Sequence, residues 1–166
     1  MAILARMKLV FVLLLSVAGV CTAQDTNLVI AAKDKPALVL TLPASAQLTK
    51  RGDMTEVHTS GMTLCVWPIP AAKSVDDGIA RLPDVIKSEV LKFSATTTNV
   101  ITVAGQPAKH FIGRGIEADD NDPATADIVV FAAGANVFAA CVHGEGNQAG
   151  EERAPMLAVL KTARMP

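Results

Sequence analysis

A single long stretch of this chain repeats its apolar side chains at helical spacing, and short strand-like runs surround it, so this helix needs a sheet to pack against. After Ser74, the residues Val75, Ile79, Leu82, Ile86, Val90 and Phe93 recur at steps of three or four, which places them on one stripe of a helix over 75–93. Ser74 is the expected N-cap. Asp77, three residues on, completes something close to a capping box and suits the positive end of the helix dipole. Pro83 removes one internal hydrogen bond, so a kink or break is expected after Leu82, and the Ser/Thr-rich run from Ser94 to Asn99 is expected to end the helix.

On either side the pattern is that of strands. Leu28-Val29-Ile30 and Ala37 to Leu42 are apolar runs bounded by Lys33-Asp34-Lys35-Pro36 and Pro43. Met54 to Thr59 and Met62 to Trp67 flank Ser60-Gly61, the signature of a hairpin, and Pro68 and Pro70 end the second strand. Beyond the helix come Val100 to Val103, a turn at Ala104 to Pro107, Ala108 to Glu117, Ile128 to Phe131, a turn at Gly134, and Val137 to His143. Short connections between successive strands build an antiparallel meander. Glu151-Glu152-Arg153-Ala154-Pro155 then leads into Met156, Leu157, Leu160 and Ala163, with Lys161 and Arg164 at the end, as a closing helix prefers. The fold class is therefore α+β: an antiparallel β-sheet with two helices packed on it.

The first 23 residues stand apart from this pattern. Arg6 and Lys8 precede an uncharged run, Leu9 to Val20, of about 12 residues, too short for the ~20 that a bilayer requires, and Ala23 stands just before Gln24-Asp25. That is a secretory signal peptide cleaved after Ala23, with Met7-Lys8 offering a more compact start than Met1. Cys21 invites a lipoprotein reading, but Val20 occupies the place where acylation requires a small residue. Residues 24–166 then form one domain located in the periplasm or secreted, with no stable membrane insertion after signal removal. Without Arg6 and Lys8 the chain keeps thirteen basic against sixteen acidic side chains and has no basic cluster, so a nucleic-acid partner is not expected. Tyr is absent and Trp67 is the lone Trp, which leaves few stacking platforms for sugars or bases.

Val103-Ala104-Gly105-Gln106-Pro107-Ala108, followed by two long strands with a Gly turn and a helix ending in Leu160-Lys161-Thr162-Ala163-Arg164, resembles the second half of PsbP-like domains. The resemblance covers mainly residues 100–166. It implies a PsbP-like α/β sandwich and a non-catalytic binder, chaperone or accessory factor, and it carries over no catalytic residue and no cofactor.

Export bears on Cys65 and Cys141, because an oxidising compartment lets a pair close into a disulfide. A bridge between their two strands would close a loop of about 75 residues, worth about 4 kcal/mol on the chain-entropy model; two buried thiols acting as small hydrophobes are the alternative. His58, His110 and His143 fall in expected strands without the spacing of a metal or nucleophile motif, so isolated structural or surface histidines are expected. His143 leaves its strand beside Cys141 and is kept as a candidate.

The acidic run Glu117 to Pro123, with Asp127 beyond it, lacks the Gly and late Glu of a calcium loop and fits a solvated hairpin tip. Asp119, Asp120 and Asp122, together with His143, are the candidate partner-binding residues, suited to a basic surface. Arg51-Gly52-Asp53 fits a polar turn, Trp67 a core anchor, and no serine sits in a nucleophile elbow. No catalytic or metal-ligating set stands out. The function expected is that of an exported, non-enzymatic protein acting through another envelope or secreted protein, in one form an immunity protein or inhibitor of a toxin, in another an envelope accessory factor. A carrier of a small apolar ligand held between the helix stripe and the sheet, and a periplasmic hydrolase or metalloenzyme, are the alternatives.

Overall fold

The computed structural model describes residues 25–166 apart from Asp34. The expected signal peptide lies outside these residues. In chain order the elements are β1 (Thr26–Ala32), β2 (Lys35–Leu42), β3 (Gln47–Arg51), β4 (Met54–Thr59), β5 (Met62–Pro68), α1 (Val75–Ile86), β6 (Val90–Val103), β7 (Gln106–Glu117), β8 (Pro123–Ala133), β9 (Asn136–Glu145) and α2 (Gln148–Leu160). β1 and β2 pair with each other, and the other strands form one 7-stranded sheet in the order β3-β4-β5-β9-β8-β7-β6. Every pairing is antiparallel.

Alternation along the central strands explains the layering. Leu64 and Val66 on β5, Val129 and Phe131 on β8, and Phe138, Ala140 and Val142 on β9 point to one face, where β1, β2 and α2 supply Leu28, Leu38, Leu40, Met156 and Leu160. Phe131 and Phe138 stack there with ring centroids 5.7 Å apart. Cys65, Trp67, Ile128, Val130, Ala139 and Cys141 point to the opposite face, under Leu82 and Ile86 of α1. Because both faces are covered, β5, β8 and β9 read as nearly continuous apolar runs, a pattern usual for the buried middle layer of a sandwich. The chain end closes the α2 layer, since Arg164 and Val39 exchange backbone hydrogen bonds of 2.9 and 3.1 Å.

Ser74 caps α1 as expected, accepting the Asp77 amide at 3.1 Å, while the Asp77 carboxylate accepts from the Lys73 amide. The length of α1 differs from expectation. It runs through Pro83 without a break and stops at Ile86; Val90 and Phe93 belong to β6, and Ser94 to Asn99, expected as a terminator, lie in the middle of that strand. A register shift between Leu91 and Ser94 interrupts the two-residue period of β6, and the spacing that results imitates a helix. The threonines favour the pleated form once β7 is there to pair with. α2 also begins earlier than expected, at Gln148, and holds Pro155 within it.

The interface between α1 and the sheet is tight. A Cβ on Gly78 would stand 2.7 Å from Val137 Cγ1 and 3.2 Å from Val130 Cγ1. Side chains of the sheet thus fill the space at the centre of this interface, where the carrier reading would lodge its ligand.

Candidate functional site

The sequence separates Cys65 widely from Cys141 and His143, and strand pairing brings them together beyond the C-terminal end of α1. Cys65 on β5 stands directly opposite Cys141 on β9, and Glu56 on β4 stands directly opposite Cys65. His143 follows Cys141 by two residues along β9 and so projects from the same face. From α1 the chain turns into β6 through Glu89, whose carbonyl accepts the Ala118 amide at 3.0 Å; this ties the turn to the end of β7. Glu89 and Glu117 are thereby placed on either side of the imidazole. Glu89 Oε2 lies 3.5 Å from Nε2 and Glu117 Oε1 lies 3.5 Å from Nδ1.

These distances are beyond the usual hydrogen-bond range, and Nδ1 is buried without a hydrogen-bond partner. Burial by itself lowers the His143 pKa, but the contact with Glu89 and the charges of Glu89 and Glu117 outweigh it and raise the value above that of an ordinary histidine. The same contact with His143 holds the Glu89 carboxyl below its usual range against the opposing effect of burial. Both cysteines are free thiols with no exposed surface. Burial, then the charges of Glu89 and Glu56, push the Cys65 thiol far up; burial, then Cys65 and Glu89, do the same to Cys141. Neither is poised as a nucleophile at neutral pH.

The acidic turn stands on the rim of this cluster. Asp119, Asp120 and Asp122 are exposed between β7 and β8. The Asp122 amide donates to Asp120 Oδ1 at 2.9 Å, and the Glu117 amide donates to the Asp122 carbonyl at 2.9 Å, which shapes the tip as a compact turn. Glu145, at the end of β9, pairs with Ala124 and joins them, so that carboxylate oxygens of Asp120, Asp122 and Glu145 lie within 4.8 Å of one another. Among the described residues, none of these four acids makes an ion pair. All the candidate partner-binding residues thus gather at one end of the sheet, with the Asp side chains on the rim and His143 behind them.

The other histidines lie elsewhere. His110 is buried on the α2 face, where its Nε2 is 2.9 Å from Asp127 Oδ1, and the second Asp127 oxygen accepts from Arg153 of α2 at 2.9 Å. Asp127, expected as an outlying member of the acidic run, is 1% exposed and belongs to this structural triad. His58 lies 3.3 Å from Glu56, whose other oxygen faces Arg51 at 3.4 Å. Arg51-Gly52-Asp53 is the β3–β4 turn with Gly52 at positive φ, and Trp67 is buried under α1, both as expected. Glu56 and Glu89 carried no signal in the sequence, because an isolated Glu in a strand or at a helix end is ordinary until tertiary pairing supplies its neighbours.

No family model matches the sequence, and a search of curated proteins finds no match. Comparison with solved structures does. The solution structure of the cyanobacterial PsbP protein CyanoP from Synechocystis sp. PCC 6803 superposes with a TM-score of 0.57 at 13% identity, over 92% of this chain and 99% of that one. LpqN of Mycobacterium tuberculosis, described as involved in cell envelope biogenesis, gives a TM-score of 0.51 at 12% identity, over 86% and 91% of the two chains. The chain has a PsbP-like fold, as the sequence resemblance implied.

Proposed function

We propose that this is an exported, non-enzymatic protein of the cell envelope that works by docking a basic surface of a partner protein onto the acidic end of its sheet. The observation that carries this reading is the gathering of Asp119, Asp120, Asp122 and Glu145, all exposed, at one corner with no basic side chain among the described residues to neutralise them. Like charges held close raise the local potential and reward a complementary partner in association rate and specificity. The charged leader-like start Arg6 to Lys8, the apolar run after it and Ala23 support export, and the PsbP-like fold agrees with a binding role. A narrower version makes the partner a toxin and this chain its immunity protein; a second makes it an accessory factor for envelope assembly.

The test is capture by the tagged exported form from its own envelope extract, beside a variant carrying Asp119→Asn, Asp120→Asn and Asp122→Asn. One stoichiometric basic protein, retained by the wild type at low salt and lost both at high salt and with the variant, is the expected result. A partner retained equally by the variant would refute the acidic end as the docking surface. A wild type that retains nothing would refute the binding role.

A further inference from the structure

We infer that Cys65, His143 and Glu89 form a binding site for one borderline-soft divalent cation of the zinc or cobalt type. Ligand atoms from these three residues lie within 4.8 Å of one another. Thiolate, imidazole and carboxylate are the donors that such ions accept, and three protein ligands leave a fourth position for water. Bonds of about 2.0–2.3 Å to a tetrahedral ion separate its ligands by about 3.5 Å. Glu89 and His143 already stand at 3.5 Å, a distance too long for a good hydrogen bond and suited to two ligands of one ion. Glu117 lies 3.5 Å from the other imidazole nitrogen, where it can orient the ring, as carboxylates behind metal-bound histidines do.

Charge supplies the second argument. The side chains of Glu56, Glu89 and Glu117 are only 8%, 11% and 20% exposed. Arg51 and His58 both serve Glu56, yet its Oε2 is still buried without a hydrogen-bond partner. Glu89 and Glu117 must share the single imidazole of His143. Buried negative charge without full compensation is costly. A divalent cation that displaces only the Cys65 proton adds one net positive charge at this point, whereas one that also displaces an imidazole proton exchanges charge for charge. Binding forms bonds from the metal to Sγ, to an imidazole nitrogen and to a carboxylate oxygen; it releases the Cys65 thiol proton, and any proton on that nitrogen, to solvent. The two positive charges of the ion then balance the Cys65 thiolate and the Glu89 carboxylate.

The experiment titrates cobalt(II) into the exported form, reduced and kept free of oxygen, and reads both stoichiometry and the near-ultraviolet thiolate-to-cobalt absorption. One ion per chain with that absorption is expected. Cys65→Ser should abolish the band, Cys141→Ala should keep it, and Glu89→Gln should weaken binding about tenfold or more while the circular dichroism of the fold is unchanged. If the reduced wild type shows no band, or if the band survives Cys65→Ser, the assignment is overturned. Should Cys65→Ser fail to fold, Glu89→Gln decides, since it replaces one carboxylate oxygen by an amide of nearly the same shape; unaltered affinity there would also overturn the site.

Discussion

At the scale of single residues, the two clusters on opposite faces of the sheet carry different consequences. Asp127 is held by His110 and Arg153 at 2.9 Å each, so Asp127→Ala strands a buried imidazole and a guanidinium at once. A loss of about 3–5 kcal/mol in chemical denaturation is expected, as for other broken buried pairs; a change below 1 kcal/mol would mean that the triad adds nothing. The thiols on the other face are register partners. Ile69 donates to Val137 across the same ladder, and alternation from there makes Cys65–Cys141 a hydrogen-bonded pair, whose Cα atoms stand about 5.5 Å apart but whose Cβ atoms, also about 5.5 Å apart, exceed the ~3.5–4.5 Å that a disulfide needs. A disulfide donor, which would have to accept two protons and two electrons for an S–S bond to form, should therefore leave the two cysteine-containing peptides unlinked in a non-reducing digest. Linked peptides would show that β5 and β9 can shift to bring the two sulfurs together. The sequence justified weighing a bridge against two buried thiols, yet only the pairing of β5 with β9 shows the residues face to face, because separation along the chain says nothing of Cα geometry. His110 was legible as a strand residue but its partner was not, since Asp127 reads as part of an acidic turn until β7 and β8 are aligned.

Elements were the most legible level, and the misreadings there have a common cause. Hairpins marked by Gly and runs bounded by Pro stand where local turn chemistry places them, whereas the start of β6 reads as helix because its register shift disguises strand periodicity. The capping of α1 was legible because it depends on local residues alone. Asp77 is held below the usual carboxyl range by the Lys73 amide first and by Arg81 second. A depressed folded-state value means that its contribution is present above the ordinary carboxyl pKa and disappears as pH falls through the folded value. The stability difference between wild type and Asp77→Asn should therefore be seen at neutral pH and vanish in acid; a pH-independent difference would contradict this. Gly78 tests the packing of the same helix. Alanine is the better helix former by about 1 kcal/mol, but its Cβ would meet Val137 at 2.7 Å, and overpacking costs about 1–3 kcal/mol. Gly78→Ala should lower the melting temperature, and an increase would show that α1 can lift from the sheet.

On the scale of the whole molecule, the seven-stranded sheet separates structure from function along its length. Its centre is buried on both faces, and the chemistry collects where α1 stops and leaves β9, β7 and the turn into β6 uncovered by a helix. The fold class follows from the order of strands and helices, but the acidic end does not, because Asp119, Asp120 and Asp122 come from the β7–β8 turn and Glu145 from the end of β9, and they meet only through the pairing of β8 with β9. In the proposed function a partner docks at this end. Amide hydrogen exchange of the exported form, alone and saturated with its captured partner, locates that contact. Slowed exchange is expected at residues 117–124 and 143–146, with little change along β3 and β6. Protection confined to β6 or β3, with the acidic turn exchanging as fast as in the free protein, would contradict it.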